Sequence, residues 1–283
     1  MRGPSKWGFT LIETLIALVL SSFIIGLVSH TFLVQNRFYE TQTLRVGAQD
    51  NVRAATELLA REIRNTAEAG FVVAGKRTLT IRSPMVLGVF CDMNGSGNNG
   101  EVLTEGGEAA VDQNEVAGLA LRTATSWSYV NATWSTVNGS DGSSAQNCFD
   151  NGADTVGALS EFHRLTGLNS IFSSPSPVEG DVVMLFRETT FTIQQSVLDS
   201  TTFGVFRAAY GDSLVEFATG IDTTAQFQYR TGGTTYADTI MGAAVGTIDA
   251  VRIVADAWKR PPTGGADPIT FGWSVNVPLR NVR

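Results

Sequence analysis

The sequence is poor in the residues from which catalytic and metal sites are most often built. Among 283 residues it has two histidines, His30 and His163, and two cysteines, Cys91 and Cys148. It contains no paired-cysteine zinc spacing, and no glycine-rich phosphate loop follows a predicted strand. No Cys-His or Ser-His-Asp arrangement is indicated. We therefore expect that the protein is not an enzyme.

The chain also lacks an excess of basic residues. It has 20 lysines and arginines against 27 aspartates and glutamates, which gives a net charge of -7. Nonspecific DNA binding depends on basic groups that neutralise phosphates, so the composition argues against nonspecific DNA binding but leaves a local basic patch open. The balance of 43% hydrophobic and 17% charged residues is typical of a globular protein with a membrane segment.

Proline is absent between Pro4 and Pro84, so little interrupts a helix in the first quarter of the chain. An apolar run covers residues 9–34, about 39 Å of helix, which exceeds a bilayer core of about 30 Å. The first natural stop is Gly70. We predict one helix from Phe9 to just before this glycine.

The second half of this predicted helix is amphipathic. Its residues recur at spacings of three and four, which is the pattern of a helix packed along one face. The stripe consists of Ala48, Val52, Ala55, Leu59, Glu62 and Thr66, with Leu58 and Ile63 flanking it. The charged residues off or beside it are Arg53, Glu57, Arg61 and Arg64. We expect this stripe to be part of a core and not a ligand site.

After Gly70 the hydrophobic period becomes two, which predicts a series of strands that continues to the C-terminus. Residues 92–115 and 138–154 are rich in glycine, asparagine and serine or acids, and are predicted loops. His163 is expected in a loop or a short helix. The predicted fold class is α+β, with a long N-terminal helix whose second half lies across an antiparallel sheet.

The N-terminus carries the most specific motif. A basic leader ends in Gly8, Phe9 follows, and the lone carboxylate of Glu13 is the fifth residue after the glycine. A charge in a membrane-length helix costs about 2.5–3.5 kcal/mol on insertion scales, so Glu13 is expected to have a role. An ordinary signal anchor would have the same hydropathy, but it needs neither Gly8-Phe9 nor Glu13.

Residues 8–13, Gly-Phe-Thr-Leu-Ile-Glu, resemble the class III signal of type IV prepilins and type II secretion pseudopilins. This resemblance implies that a prepilin peptidase cuts between Gly8 and Phe9, and that the new Phe9 amine is N-methylated. It also implies that Glu13 pairs with the Phe9 amine of an adjacent subunit during assembly.

Residues 51–65 resemble the end of the helix in the PilW family of minor pilins, and the last hundred residues are similar to it in the order of their strands. The resemblance implies a type IV pilin-like fold and a role in pilus assembly or initiation, in a tip or priming complex. The J-type pseudopilins of type II secretion have a related helix pattern and are one alternative. A tip adhesin or DNA-uptake subunit, which binds a ligand through its middle region, is another.

The resemblance implies a membrane-anchored subunit with a periplasmic domain. The expected parts are a leader (1–8), a transmembrane or filament-core helix (9–34), its amphipathic half (35–70) and a β-rich globular domain (71–283). The basic leader favours a cytoplasmic N-terminus at the bacterial inner membrane. The expected partners are other minor and major pilins, the prepilin peptidase, the inner-membrane assembly platform and membrane lipid.

Both cysteines follow the membrane segment. If that part is periplasmic, the compartment is oxidising and a disulfide between Cys91 and Cys148 is expected. Two unpaired buried thiols are the alternative.

One loop suggests a calcium site. Asp92, Asn94 and Ser96 place oxygen ligands at the first, third and fifth positions, and Gly97 is at the sixth. The twelfth position is Leu103 and not the usual glutamate, and clusters of this composition are also typical of turns. No other cofactor is expected.

Overall fold

The computed structural model describes residues 10–67, 69–93, 99–104, 115–123, 126–136, 162–166, 177–178, 180–259 and 269–279. Within these residues the chain forms a long helix, α1, and antiparallel sheets, so the predicted α+β class is confirmed. Helix α1 spans Leu11–Arg64, and a short 3₁₀ helix spans Gly242–Thr247. The strands are β1 (Phe71–Ala74), β2 (Thr78–Met93), β3 (Asn99–Thr104), β4 (Gly118–Arg122), β5 (Trp127–Asn131), β6 (Thr133–Thr136), β7 (Phe162–Thr166), β8 (Val182–Gln195), β9 (Phe203–Ala209), β10 (Val215–Ile221), β11 (Gln226–Arg230), β12 (Ala250–Val254), β13 (Ala257–Lys259), β14 (Ile269–Phe271) and β15 (Ser274–Pro278).

Helix α1 has 54 residues and is about 81 Å long. Its second half buries one face, formed by Ala48, Val52, Ala55, Thr56, Leu59, Ala60 and Ile63. This confirms most of the predicted stripe. Leu58 was expected to contribute to it but is 43% exposed. The reason is its position one residue before Leu59, which rotates it about 100° around the helix from that buried neighbour.

The helix ends at Arg64, five residues before the predicted end near Ala69. Ala69 has a φ of 57°, so the chain leaves the helical conformation before the glycine. Gly70 then lies in a tight turn, because a Cβ at this position would be 2.8 Å from the Ala67 carbonyl oxygen and 3.0 Å from that of Arg82. Gly70 therefore marks the close approach of the chain to β2 and not the end of the helix.

Two long antiparallel strands, β2 and β8, form the centre of the sheet. Their register extends from Thr78 opposite Thr192 to Val89 opposite Val182. Strand β1 pairs with the first part of β2, and β3 pairs with its last part. Likewise β9 pairs with residues 189–195 of β8, whereas β4 pairs with its residues 183–186. The central pair of strands thus carries two groups of strands, one at each end.

The remaining strands complete these groups. In the first group, β10 follows β9, and β13 and β14 continue the sheet. In the second group, β5 pairs with β4, while β7 and β6 follow β3. Strands β11, β12 and β15 form a separate three-stranded antiparallel sheet. Helix α1 contacts β10, β13 and β15, so it packs against both sheets.

The main core lies between the second half of α1 and the two sheets. Leu59 and Ile63 of the helix meet Phe191 of β8 and Phe227 of β11 in one buried cluster. Tyr229, also fully buried, donates its hydroxyl to the Gly75 carbonyl at 2.8 Å, and its burial raises the pKa of this hydroxyl. A smaller apolar cluster lies among the strands of the second group. The helix is therefore anchored to the domain only through its second half.

Two predictions about the middle of the chain are wrong. Residues 92–115 were predicted to be a loop, but they include the end of β2 and all of β3. His163 lies in β7, where its backbone pairs with Val102 and Thr136. Strand β3 pairs with β7 about sixty residues away as well as with the nearby β2, and the distant pairing leaves no local signal in the sequence. The predicted loop at 138–154 lies outside the described residues.

Candidate functional site

The first half of α1 packs against no other described part of the chain. We call it the exposed segment (residues 10–40). Every residue in it is exposed in the isolated chain. Fifteen large apolar side chains between Leu11 and Val34 are each more than half exposed. Burying one such side chain stabilises a protein by about 1.5–3 kcal/mol relative to leaving it in water. An enclosed segment is therefore favoured over a water-exposed one by tens of kcal/mol. It requires lipid or other protein around it.

Within the described part of the chain, α1 is the one helix long and apolar enough to cross a membrane. Its polar groups suit water-free surroundings, because their hydroxyls bond to the helix backbone itself. Thr14 donates to the Leu11 carbonyl at 2.9 Å, and Ser21 donates to the Ala17 carbonyl at 2.7 Å. Ser22 and Thr31 make equivalent bonds. These four hydroxyls therefore need no solvent.

Glu13 is the acidic residue of the first helical turn. Its N–H donates to the Thr10 carbonyl at 3.1 Å, which places its backbone inside the helix. Thr10 is the N-cap residue, but its side chain makes no capping hydrogen bond. Among the described residues, the Glu13 carboxylate has no hydrogen-bond or ion-pair partner. The helix dipole stabilises it by about 0.3–1 kcal/mol, which leaves most of its membrane cost unbalanced.

The two residues that precede this turn in the predicted signal, Gly8 and Phe9, lie outside the described residues. Cleavage between them, and methylation of Phe9, therefore stay predictions. Residue 10, the N-cap, is fully exposed and extended, with φ of -79° and ψ of 148°. A chain that begins at Phe9 would thus carry its amine one residue before the helix cap.

The opposite half of α1 holds a second carboxylate, Glu62, with ion-pair partners. Its oxygens lie 3.9 Å from Arg187 Nη2 and 4.0 Å from Arg207 Nη2. Arg187 in turn bonds to Glu115 at 3.0 Å. The predicted stripe included Glu62, and the structure confirms that this residue faces the sheet. A glutamate fits that inward position because two guanidinium groups from β8 and β9 compensate its charge.

The predicted disulfide and calcium site fall largely outside the described residues. Cys91 lies in β2, and Cys148 is not among the described residues. Asp92 lies in β2 opposite Glu101 of β3, whereas Asn94 and Ser96 are not described. Elsewhere in the described ranges, no cluster of three histidine, cysteine or acidic residues could hold a metal.

One exposed feature was missed in the sequence. The turn after β8 presents Val197 and Leu198 to solvent, with 80% and 77% of their surfaces exposed. Adjacent aliphatic residues between Ser196 and Asp199 are an unusual content for a turn. That contrast is the local signal that could have identified them.

No family model, curated protein or solved structure matches this chain. The features of this chain that bear on its function are therefore the exposed segment, Glu13 and the residues before them.

Proposed function

We propose that this protein is a minor pilin-like subunit, which joins a filament of the type IV pilus class through the exposed segment of α1. The observation that supports the proposal is the contrast along this one helix. Its second half is anchored in a folded domain, and its first half presents an all-round apolar surface with the unpartnered Glu13. The resemblance of residues 8–13 to a prepilin signal agrees with this arrangement.

The exposed segment would serve two environments in turn. Before assembly it would anchor the subunit in the inner membrane, with the folded domain in the periplasm. During assembly it would pass from lipid into a bundle of similar helices. Both surroundings are apolar, so the transfer changes the hydrophobic free energy little, and close packing decides the association. A helix without a polar face is suited to that exchange, whereas an amphipathic one is not.

Glu13 would set the axial position of the subunit in this bundle. After cleavage, the Phe9 amine of a neighbouring subunit is a cation at a fixed place near the start of its helix. The attraction between the two charges in an apolar environment is large, but the desolvation of both groups offsets much of it. The pair would therefore contribute register more than net stability. The proposal agrees with a carboxylate that has no partner among the described residues of its own chain.

The test is the chemical state of the N-terminus in native host cells. Mass spectrometry of the mature protein is expected to find Phe9 as the first residue, with a methylated amine. Substitution of Gly8 by a bulkier residue should block processing and provides the control. A mature chain that begins at Met1, or one cut after Ser29, would contradict the proposal.

The same helix suits a J-type pseudopilin of a type II secretion system. Deletion of the gene separates the two machines. Loss of surface pili with normal protein secretion would identify a pilus subunit, and the opposite result would identify a pseudopilin.

A further inference from the structure

The turn after β8 is a rigid platform that presents two aliphatic side chains. We call residues 196–202 the apolar turn. The Ser196 hydroxyl oxygen accepts the N–H groups of Leu198 and Asp199, both at 3.1 Å. The Asp199 Oδ1 atom accepts the N–H of Thr201 at 3.0 Å. Because these bonds hold the backbone, a partner that contacts Val197 and Leu198 would lose little entropy in ordering the turn.

Leu198 also forms the rim of a cavity of about 300 Å³ between α1 and β10. We call it the α1–β10 pocket. Its helix side is formed by Ala54 and the exposed Leu58, and its strand side includes Phe217. This volume can hold a single long side chain, but it is too small for a whole helix. The pocket walls are mostly apolar, so a side chain with an aliphatic stem fits them.

One charged group lines this apolar pocket. Glu216 of β10 accepts the Val197 N–H through Oε2 at 2.9 Å. Its Oε1 atom is buried and has no hydrogen-bond donor among the described residues. The carboxylate packs against Gly204, where a Cβ would lie 2.2 Å from Oε1. The buried Oε1 is out of reach of an incoming group, but Oε2 accepts a single neutral N–H and has capacity for a second donor, so a cation that approaches Oε2 would be favoured.

The height of the pocket along α1 excludes lipid as its occupant. Asn51, on the pocket wall, lies 17 residues after Val34, which corresponds to about 25 Å of helix beyond the apolar run. An acyl chain cannot reach that far from a bilayer that ends near Val34. The exposed segment, however, needs neighbouring helices, and a helix that runs alongside α1 continues past the pocket.

We propose that the α1–β10 pocket receives a lysine or arginine side chain from the helix of a neighbouring subunit. The aliphatic stem would pack between Leu58, Leu198 and Phe217, and the cationic head would meet the Glu216 carboxylate. The apolar turn would form the outer wall of this contact. The inference rests on the proposed function, because it requires a helix that runs next to α1.

Site-specific photocrosslinking of the full chain in native host cells tests this contact. A benzophenone amino acid replaces Leu198, and the matched control carries it at Met241, which is 80% exposed and lies outside the pocket. We expect a crosslink from position 198, but not from 241, to a lysine- or arginine-containing helical peptide of another processed subunit. Glu216→Gln keeps an acceptor for the Val197 N–H and removes the charge. It should lower the crosslink yield about fivefold.

A charge exchange provides the second measurement. Glu216→Lys should abolish the crosslink, and replacing the identified basic residue of the partner by glutamate should restore it. No crosslink above the control, adducts with lipid, a crosslink only to a second copy, or a yield unaffected by Glu216→Gln would each overturn the inference. Whether the N-terminus in the same sample is processed distinguishes a failure of the pocket hypothesis from a failure of the proposed function. Mature Phe9 without the crosslink overturns the pocket alone, whereas an unprocessed chain overturns both.

Discussion

The two halves of α1 belong to one continuous helix but are built for different surroundings. As far as Val34 the exposed segment carries large apolar side chains on all sides, whereas the second half is apolar on a single stripe that includes Val52, Leu59 and Ile63. A helix that is hydrophobic all round is stable only when it is completely enclosed. The stripe needs only one sheet to cover it. The change of pattern between these halves therefore marks where the folded domain ends and where an external environment must begin.

The same contrast holds for the carboxylates. Glu13 has no partner among the described residues, whereas Glu62 has two guanidinium groups within 4.0 Å. In the second half, Glu62 has its counter-ions inside the chain. In the first half, Glu13 has no counter-ion among the described residues. Substitutions in the two halves should accordingly affect different measurements.

The largest effect is expected for Glu13→Gln. This change removes the charge and keeps the shape, so processing and folding of the domain should be unaffected. If Glu13 pairs with the Phe9 amine of a neighbouring subunit as proposed, incorporation into filaments should fall about a hundredfold, because that amine loses its counter-ion in an apolar environment. The measurement is the ratio of filament-bound to membrane-bound protein. Normal incorporation of both Glu13→Gln and Glu13→Ala would reduce Glu13 to a local helix feature.

The next effect is expected in the core. Leu59→Ala should lower the free energy of unfolding of the domain by about 2–5 kcal/mol, because Leu59 is 1% exposed and its loss leaves a cavity. Leu18→Ala is the matched control, since Leu18 is 72% exposed in the isolated chain. It should change the unfolding of the domain by less than about 0.5 kcal/mol. Denaturant unfolding of the full chain in detergent measures both, and equal losses would contradict an independent exposed segment.

How well each part of the fold could be predicted depends on how far apart in the sequence its interacting residues lie. Helix α1 and its stripe follow from local spacing and from the missing prolines, so they were predicted well. The end of the helix at Arg64 was not, because Gly70, the residue used to predict it, is instead the point where the chain closely approaches Arg82 of β2. The pairing of β2 with β8 joins residues more than ninety positions apart, and no local pattern specifies such a register.

In the candidate site, too, local features could be predicted from the sequence and contacts between distant residues could not. Glu13 was identified from the sequence, since a carboxylate within an apolar run is conspicuous without any structure. Glu62 was placed on the inner face, but its partners Arg187 and Arg207 come from distant strands and could not be named. The α1–β10 pocket could not be predicted at all, because its walls are brought together only by the packing of α1 on β10.

A smaller effect is expected for Glu62→Gln. Its side chain is 20% exposed, and the two nitrogen–oxygen distances of 3.9 and 4.0 Å indicate loose pairs. Removing the charge leaves Arg187 with Glu115 but leaves Arg207 less compensated. We expect the free energy of unfolding to fall by about 1–2 kcal/mol, with little change in filament incorporation. A larger loss of assembly than of stability would show that Glu62 acts outside the domain.

The smallest effect is expected at the Arg53–Glu57 pair on the outer face of the second half. The two atoms Arg53 Nε and Glu57 Oε1 are 2.8 Å apart, and the side chains are 64% and 63% exposed. Water and salt screen such a pair, so Glu57→Gln should leave the free energy of unfolding close to that of the wild type. Denaturant unfolding at low and high salt measures this.

The direction in which pH changes the stability contributed by the Arg53–Glu57 pair can also be predicted. The hydrogen bond with Glu57 raises the pKa of Arg53, whose ordinary value already lies above about 12. A raised pKa in a cation adds stability below the unfolded pKa, and this stability is lost only as pH rises through the folded pKa. Both values lie far above neutrality, so the contribution of Arg53 should be constant between about pH 5 and 9.

A loss of unfolding free energy in Glu57→Gln as large as that in Glu62→Gln would mean that another molecule covers the outer face of α1. The two halves of the helix would then differ less than their exposure in the isolated chain suggests.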